Sequence, residues 1–320
     1  QQEPEIELST DEEDMVQLQL PLMLSDPSPV IRPEYNIGKY AGYIFASPYT
    51  KNLYEERAYK WEYVRGDESI QASVTVVPLK GRKTPTTTTQ KVFFGLVEAW
   101  RQHDRPADGV ITFSARALAN IMGIKWAGSK TANMISEQLE VLKSTQIKYV
   151  RAYRNASKEL ETGGSINIID DESYTQRGDL FNDEKFSSVQ RVRLNKEMVE
   201  NMLANHIRPV NYEVFKQISN DTAVNLYSLL DMYLSDGKGQ WRRLALPLLT
   251  KELGLKGARY KQKKHRHAKL KELVAELNGK ELFSGKLKLR IKPSEQDHID
   301  DYKLYSKRVD VTEKKKKPRD

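Results

Sequence analysis

Two stretches decide how this sequence folds: Leu118-Ala-Asn-Ile-Met-Gly-Ile-Lys125 and, 131 residues later, Leu249-Thr-Lys-Glu-Leu-Gly-Leu-Lys256. The similarity continues without an insertion into the next apolar segment, where Leu139 and Leu142 have leucine counterparts at the same offset. In each copy a glycine follows a short apolar run, and glycine readily adopts the left-handed conformation that ends a helix. Repetition at one fixed offset indicates a duplicated folding unit.

Each copy has the same order of predicted elements. A first helix is followed by a short strand, a short helix, a turn, a longer helix and a closing β-prone stretch. This order is that of the winged form of the helix-turn-helix. The elements of the first copy are predicted at Gln90–Arg101, Gly109–Phe113, Ala115–Met122, Ser129–Lys143 and Ile147–Tyr153. Those of the second are predicted at Thr222–Leu234, Gln240–Leu244, Pro247–Leu253, Ala258–Leu277 and Lys286–Lys292.

We therefore predict an α+β fold of two tandem winged-helix domains related by internal duplication, with a disordered acidic N-terminal arm. The length of 320 residues suits two domains of about 100–200 residues each. Strands at Tyr59–Val64 and Ser73–Leu79 lead into the first domain, and the polar insert Asn155–Lys185 is expected to be a mobile loop. The predicted boundaries are 1–35 for the arm, 36–195 and 196–311 for the domains, and 312–320 for a basic tail.

The net charge of +8 is unevenly distributed. Residues 1–35 carry nine acids against one base, whereas residues 256–292 carry thirteen bases against three acids. A basic block on a periodic, folded segment is typical of a protein that binds a polyanion, and nucleic acid is the first candidate. A solvated lysine surface without a partner is the alternative.

The long helix of the second copy has two distinct sides. Leu270, Leu273, Val274 and Leu277 follow the helical period and form a buried stripe. The opposite side is basic, and its alanines make it narrow. A narrow helix face can enter the ~12 Å major groove of DNA. The closing strand alternates cations with apolar residues, as a phosphate-binding strand or a protected edge strand would. The candidate DNA-binding residues of this copy are Arg259, Lys261, Lys264, His265, Ala268, Lys271, Lys286, Lys288 and Arg290.

The equivalent helix of the first copy is less basic. Glu137 and Glu140 on its outer side would repel phosphate, so donors are confined to its N-terminal end. This copy is expected either to make lighter DNA contacts or to serve mainly in protein–protein contact. Its candidate DNA-binding residues are Ser129, Lys130, Thr131 and Asn133.

Several classes of chemistry have no support in the sequence. The chain has no cysteine, which excludes disulfides, thiolate metal sites and cysteine nucleophiles. No Gly-x-x-x-x-Gly-Lys-Ser/Thr loop is present, and Lys264-His-Arg-His267 lacks a third metal ligand. We therefore predict no catalytic residue, metal or cofactor. No stretch approaches the ~20 apolar residues of a membrane span, and the acidic first residues do not suit a secretory signal, so a cytoplasmic location is expected.

The tandem winged helices, the β-rich lead-in and Thr84-Pro-Thr-Thr before Lys91-Val-Phe-Phe together resemble the plasmid replication initiator (Rep) superfamily, of the replication initiator protein A type. The resemblance covers about residues 36–311. It implies that the second winged helix reads direct repeats at an origin and that the first touches DNA and carries a dimerisation surface. It also implies that monomers initiate replication, that dimers repress, and that host replication proteins are recruited.

Three hypotheses follow. The first is a non-catalytic initiator of a bacterial plasmid or phage-like element that binds double-stranded DNA at direct repeats. The second is a winged-helix transcriptional repressor without initiator activity. The third is a DNA nickase or nuclease.

Overall fold

The computed structural model describes residues 28–50, 53–65, 67–177, 187–234, 242–244, 253–255, 260, 262–283, 285–293 and 302–309. The helices are α1 (Tyr35–Lys39), α2 (Ala41–Ile44), α3 (Thr87–Gln102), α4 (Ala115–Ile121), α5 (Ser129–Ser144), α6 (Lys196–Leu203), α7 (Tyr212–Lys216), α8 (Asp221–Leu234) and α9 (Lys263–Leu277). The strands are β1 (Val30–Ile31), β2 (Arg57–Arg65), β3 (Glu68–Val77), β4 (Val110–Ser114), β5 (Gln146–Val150), β6 (Gly163–Ile166), β7 (Ile169–Arg177), β8 (Ser187–Leu194), β9 (Val210–Asn211), β10 (Arg242–Leu244), β11 (Glu281–Leu282), β12 (Gly285–Pro293) and β13 (Tyr302–Val309). Within this part of the chain no helix is both long enough and apolar enough to cross a bilayer.

The predicted α+β character is confirmed, and the predicted elements recur at nearly the expected offset. Helix α8, strand β10 and helix α9 begin 134, 132 and 134 residues after α3, β4 and α5 respectively. The second copy's short helix, predicted at Pro247–Leu253, lies almost entirely outside the described residues.

In the two sheets that follow these helices, three strands are arranged in the same order, and the second sheet has β11 as a fourth strand. One is β4-β8-β7 and the other is β10-β13-β12-β11, and all their pairings are antiparallel. In each sheet the first strand of the copy pairs with the last, and the last pairs with the one before it. The shared order is what a winged helix would need.

The closing strands of the first copy are not where the sequence suggested. The stretch predicted at Ile147–Tyr153 gives β5, which joins a separate sheet of order β2-β3-β5-β6. The closing strands are instead β7 and β8. The expectation of a mobile loop at 155–185 is therefore wrong for residues 155–177, which contain β6 and β7, while residues 178–186 lie outside the described part.

The predicted N-terminal arm is corrected at its end. Val30 and Ile31 pair with Asn211 and Val210, and Ile31 is buried. Residues 28–35 therefore belong to the folded body, and only residues 1–27 of the predicted arm lie outside the described part.

A single apolar core runs through both copies. Residues beyond the predicted boundary at 195/196 pack against the first copy, because Phe215 contacts Phe94 edge-on at 4.8 Å and the Tyr212 hydroxyl donates to the Ile121 carbonyl at 3.2 Å. The second copy's own packing begins with α8, which contacts both α3 and α9.

The repeated glycine has the predicted conformation in both copies. Gly123 and Gly254 each have φ of 68°, in the left-handed region that disfavours other residues. Their surroundings differ. A Cβ on Gly254 would lie 2.5 Å from the Tyr49 backbone carbon, whereas a Cβ on Gly123 would meet only the flexible side chain of Lys216, at 3.3 Å. The turn at Gly254 therefore lies directly against the backbone of the first copy.

This difference predicts unequal costs for one substitution. Gly123→Ala should lower the free energy of unfolding by about 1–2 kcal/mol, the cost of a left-handed alanine. Gly254→Ala should cost more, because the backbone at Tyr49 would also have to move. Urea unfolding of both variants would measure the difference, and equal losses would contradict the close contact at Gly254.

A buried carboxyl group joins the N-terminal segment to α6. Glu34 is 0% exposed; it accepts from the Ile37 backbone N–H at 2.8 Å and from the side-chain amide of Asn201 at 2.8 Å. The same Asn201 amide also donates to the Tyr153 hydroxyl at 2.9 Å. Despite these donors, burial raises the pKa of Glu34 from 4.5 to about 7.

The raised pKa makes stability depend on pH. The folded state favours protonated Glu34. This contribution to the free energy of unfolding is fully present below the pKa that Glu34 has in the unfolded chain, and it is lost as the pH rises through about 7. We therefore expect the wild type to lose about 1–3 kcal/mol between about pH 5 and pH 8 relative to Glu34→Gln. Urea unfolding of both proteins at the two pH values measures this, and parallel behaviour would show that Glu34 is ionised throughout.

Candidate nucleic-acid interface

Helix α9 presents the two sides that its sequence predicts. Leu270, Leu273 and Leu277 are fully buried, and Val274 is partly buried against the core. The opposite side carries Lys264, Ala268, Lys271 and Ala275, all of them exposed. These four positions follow the helical period, so they form one continuous stripe along the helix.

The stripe is cationic and narrow. Neither Lys264 nor Lys271 pairs with a carboxylate within the described part of the chain. Ala268 lies between them, where a longer side chain would hold the helix away from a neighbouring surface. His265 is partly buried on the flank of the stripe. The exposed face thus combines unpaired positive charge with close access for a partner.

The two glutamates of α9 are held away from this stripe. Glu276 accepts from the backbone N–H groups of Ser219 and Asn220 at 2.8 and 3.2 Å. Glu272 accepts from the side-chain amide of Asn220 at 2.6 Å and pairs with Lys269 at 2.6 Å. These bonds fix α9 against the turn that precedes α8, and they satisfy the acids locally.

Strand β12 alternates as predicted. Leu287 and Leu289 are 0% and 5% exposed, whereas Lys288 and Arg290 between and beyond them are exposed; Lys286 is partly exposed. Strand β13 adds a cation that sequence reasoning missed, because Lys307 lies directly opposite Lys288. Like charges at opposed positions repel each other, so an anion bound there would relieve the repulsion.

The first copy offers a smaller set of donors. Ser129, Lys130 and Asn133 are exposed at the start of α5. Thr131 is 5% exposed and its hydroxyl accepts from the Ala127 backbone N–H at 3.0 Å. Its hydroxyl holds the turn before the helix, and its burial argues against direct contact between the Thr131 side chain and DNA.

The outer acids of α5 differ in their surroundings. Glu140 forms an ion pair with Arg82, whereas Glu137 is exposed. Part of the expected phosphate repulsion on this helix is therefore already neutralised within the chain.

Two candidate residues cannot be placed. Arg259 and Lys261 lie outside the described residues, as does the loop that joins β12 to β13. The remaining candidates of the second copy lie on two adjacent elements, since α9 packs against β12.

Helix α9 carries two histidines, His265 and His267, that are separated by one residue. Burial and the nearby Lys271 lower the pKa of His267, which favours its neutral form near pH 7. Among the described residues, no group of three or more His, Asp or Glu side chains is placed to hold a metal ion.

Comparisons of sequence find neither a family model nor a curated protein that matches. Solved structures do match. The crystal structure of selenomethionine derivatives of domains 2 and 3 of RctB is 15% identical, covers 88% of this chain and 98% of its own, and has a TM-score of 0.51. A structure of RctB domains 2–3, spanning its residues 155–483, is 12% identical, covers 84% and 96% respectively, and has a TM-score of 0.52. At these identities the similarity shows a shared fold.

The exposed cations predict a salt-dependent interaction. Lys271→Ala and Lys288→Ala should each weaken duplex DNA binding, specific and non-specific alike, and lower the slope of log K against log salt by about 1. Lys148→Ala is the matched control, since Lys148 is an exposed lysine on the separate β2-β3-β5-β6 sheet. Fluorescence anisotropy over a salt series measures the slopes, and an affinity that does not depend on salt would contradict the interface.

Proposed function

We propose that this protein is a sequence-specific, double-stranded DNA-binding replication initiator built from two winged-helix domains. The observation that carries the proposal is the exposed stripe of Lys264, Ala268 and Lys271 on α9, beside the opposed lysines of β12 and β13. A helix of this shape suits the major groove, and the neighbouring cations suit the flanking phosphates.

Three further observations support the proposal. The two copies share a first helix, a strand and a long helix in the same order, the pairing of the first strand with the last, and a left-handed glycine, as a duplicated winged helix would. The fold match extends over nearly the whole length of the RctB domains, and RctB is a replication initiator. The sequence resembles plasmid replication initiators, so the resemblance and the structural match both point to the same class of protein.

In the proposed mechanism the second copy reads the sequence and the first copy adds lighter contacts. Counterion release at the lysines supplies most of the affinity, and base contacts from α9 supply the specificity. The protein would bind direct repeats at the origin of a plasmid or phage-like element in a bacterial cytoplasm. It would act without catalysis, form a homodimer when it represses, and recruit host replication proteins.

A footprint separates an initiator from a repressor that uses the same interface. We expect DNase I protection of DNA flanking the gene to show several tandem sites in the same orientation. A single inverted repeat would favour the repressor, because a two-fold symmetric dimer matches a palindrome.

A nicking assay tests the third hypothesis. Supercoiled plasmid incubated with the protein and Mg²⁺ or Mn²⁺ should stay intact. Nicking that disappears in His265→Ala or His267→Ala would assign a nickase instead.

A further inference from the structure

A cleft distant in sequence from α9 is lined by aromatic rings and cations. It lies where α1, strand β2 and the segment after β5 meet, and its volume is about 900 Å³. This is within the range of about 300–1,000 Å³ typical of small-molecule sites. Neither the cleft nor its residues belong to the proposed DNA interface.

Four cations line the cleft against one carboxylate. Lys39 comes from α1, and Arg151, Arg154 and Lys158 come from the segment after β5, while Glu159 is the acid. Arg151 and Lys158 are exposed and have no carboxylate partner within the described part of the chain. The lining therefore has an excess of positive charge that suits a ligand with several negative charges.

Aromatic rings form the other wall. Trp61 and Tyr63 are two residues apart on β2, so they point to the same side of the sheet. The Tyr40 ring packs against Trp61, with ring centroids 5.2 Å apart. Tyr35 is partly exposed at the cleft and contacts the His206 ring at 4.5 Å. Rings of this kind, held by a second ring behind them, are suited to stacking on a planar heterocycle.

One polar atom in this wall lacks a partner. The Tyr63 hydroxyl is buried and makes no hydrogen bond within the described residues. Buried hydroxyl groups are nearly always satisfied, and an unsatisfied one at the edge of a cleft indicates a missing partner. A sugar hydroxyl or a heterocycle nitrogen could supply that partner.

The surroundings favour a free nucleotide over a nucleic-acid strand. The next cavity shares Tyr63 and Arg151 with the cleft but is also lined by Glu68 and Glu161. A strand that continued past Tyr63 would bring its phosphates towards these carboxylates, and like charges would oppose it. A mononucleotide with its charge concentrated in a phosphate chain can remain beside the four cations.

We propose that this cleft binds a free nucleoside polyphosphate. The heterocycle stacks on the Trp61 and Tyr63 wall, and the phosphates lie against Arg151, Arg154 and Lys158. The chain lacks the Gly-x-x-x-x-Gly-Lys-Ser/Thr loop, so these side chains, and not a glycine-rich backbone loop of that kind, would hold the phosphates. This site goes beyond the proposed function and does not depend on it.

The test uses the full chain with fluorescent mant-ATP and mant-GTP as probes. Energy transfer from tryptophan to the mant group reports binding, and Trp61 at the cleft is one of the four possible donors in the chain. The test variant is Arg151→Asn with Lys158→Asn, because both positions have left-handed φ values of 48° and 64°, which asparagine tolerates. The matched control is Lys60→Gln with Lys148→Gln, which removes the same charge from exposed lysines on the outer face of the same sheet.

We expect saturable binding of a mant nucleotide, competition by inorganic tripolyphosphate, and a loss of about ten- to a hundredfold in affinity in the test variant. The control should stay within about twofold of wild type. Tyr63→Phe should weaken binding without changing tripolyphosphate affinity, since only the hydroxyl is removed. Duplex DNA binding should be the same in all these variants, so this site and the DNA interface can fail separately.

Three results would overturn the proposal. One is the absence of saturable nucleotide binding in the wild type. Another is an equal loss of nucleotide affinity in the test and control variants, which would indicate that only the net charge of the protein matters. The third is displacement of the probe by oligo-dT with an affinity that grows with its length, which would assign the cleft to single-stranded nucleic acid.

Discussion

The contact between α3 and α8 holds the molecule together. These are the first helices of the two copies, and each is buried along most of its length. In the centre the Gln90 side-chain amide donates to the Ser228 hydroxyl at 2.9 Å, with both residues buried, and at the edge Lys91 lies 3.8 Å from Asp221. Because α8 also contacts α9 and β13, the position of the basic stripe depends on this contact. A hydrogen bond in an apolar interface contributes little net stability but selects one alignment, since a shifted alignment would leave buried polar groups unpaired.

The positive charge exposed on α9 depends on which groups its two glutamates contact. Glu272 and Glu276 are bound to the turn before α8, so they position the helix and do not neutralise its exposed lysines. The opposed lysines of β12 and β13 add positive charge on the neighbouring strands. The two acids of α9 therefore have structural roles, while the exposed Lys264 and Lys271 pair with no carboxylate in the described part of the chain. The first copy differs, because Glu140 is paired with Arg82 and Glu137 remains exposed on the corresponding helix.

Periodicity predicted much of this fold and part of the site. The spacing of Leu270, Leu273 and Leu277 was enough to assign the buried side of α9 and, with it, the exposed stripe. The same helical period places Thr131 four residues before the buried Ile135, so its burial could have been inferred. The position of Lys307 could not have been inferred, because antiparallel pairing brings it opposite Lys288 from a separate strand.

Strand β7 was missed because its Asp, Glu, Ser, Thr and Gln residues have the composition of a loop, and its strand character depends on pairing with β8. The cleft was also beyond prediction, since its cations and rings come from segments about ninety residues apart that only the β2-β3-β5 sheet brings together.

The shared core at the α3–α8 contact also fixes the distance between the two copies. Two DNA-reading helices joined by a flexible linker could accommodate sites at many separations. Here α5 packs on α3 and α9 packs on α8, so the distance and angle between α5 and α9 are set by the apolar packing between the copies. Each base pair inserted between the two subsites would rotate one of them by about a tenth of a helical turn. Under the proposed function, the spacing between the two subsites is therefore as much a part of the recognised sequence as the bases themselves.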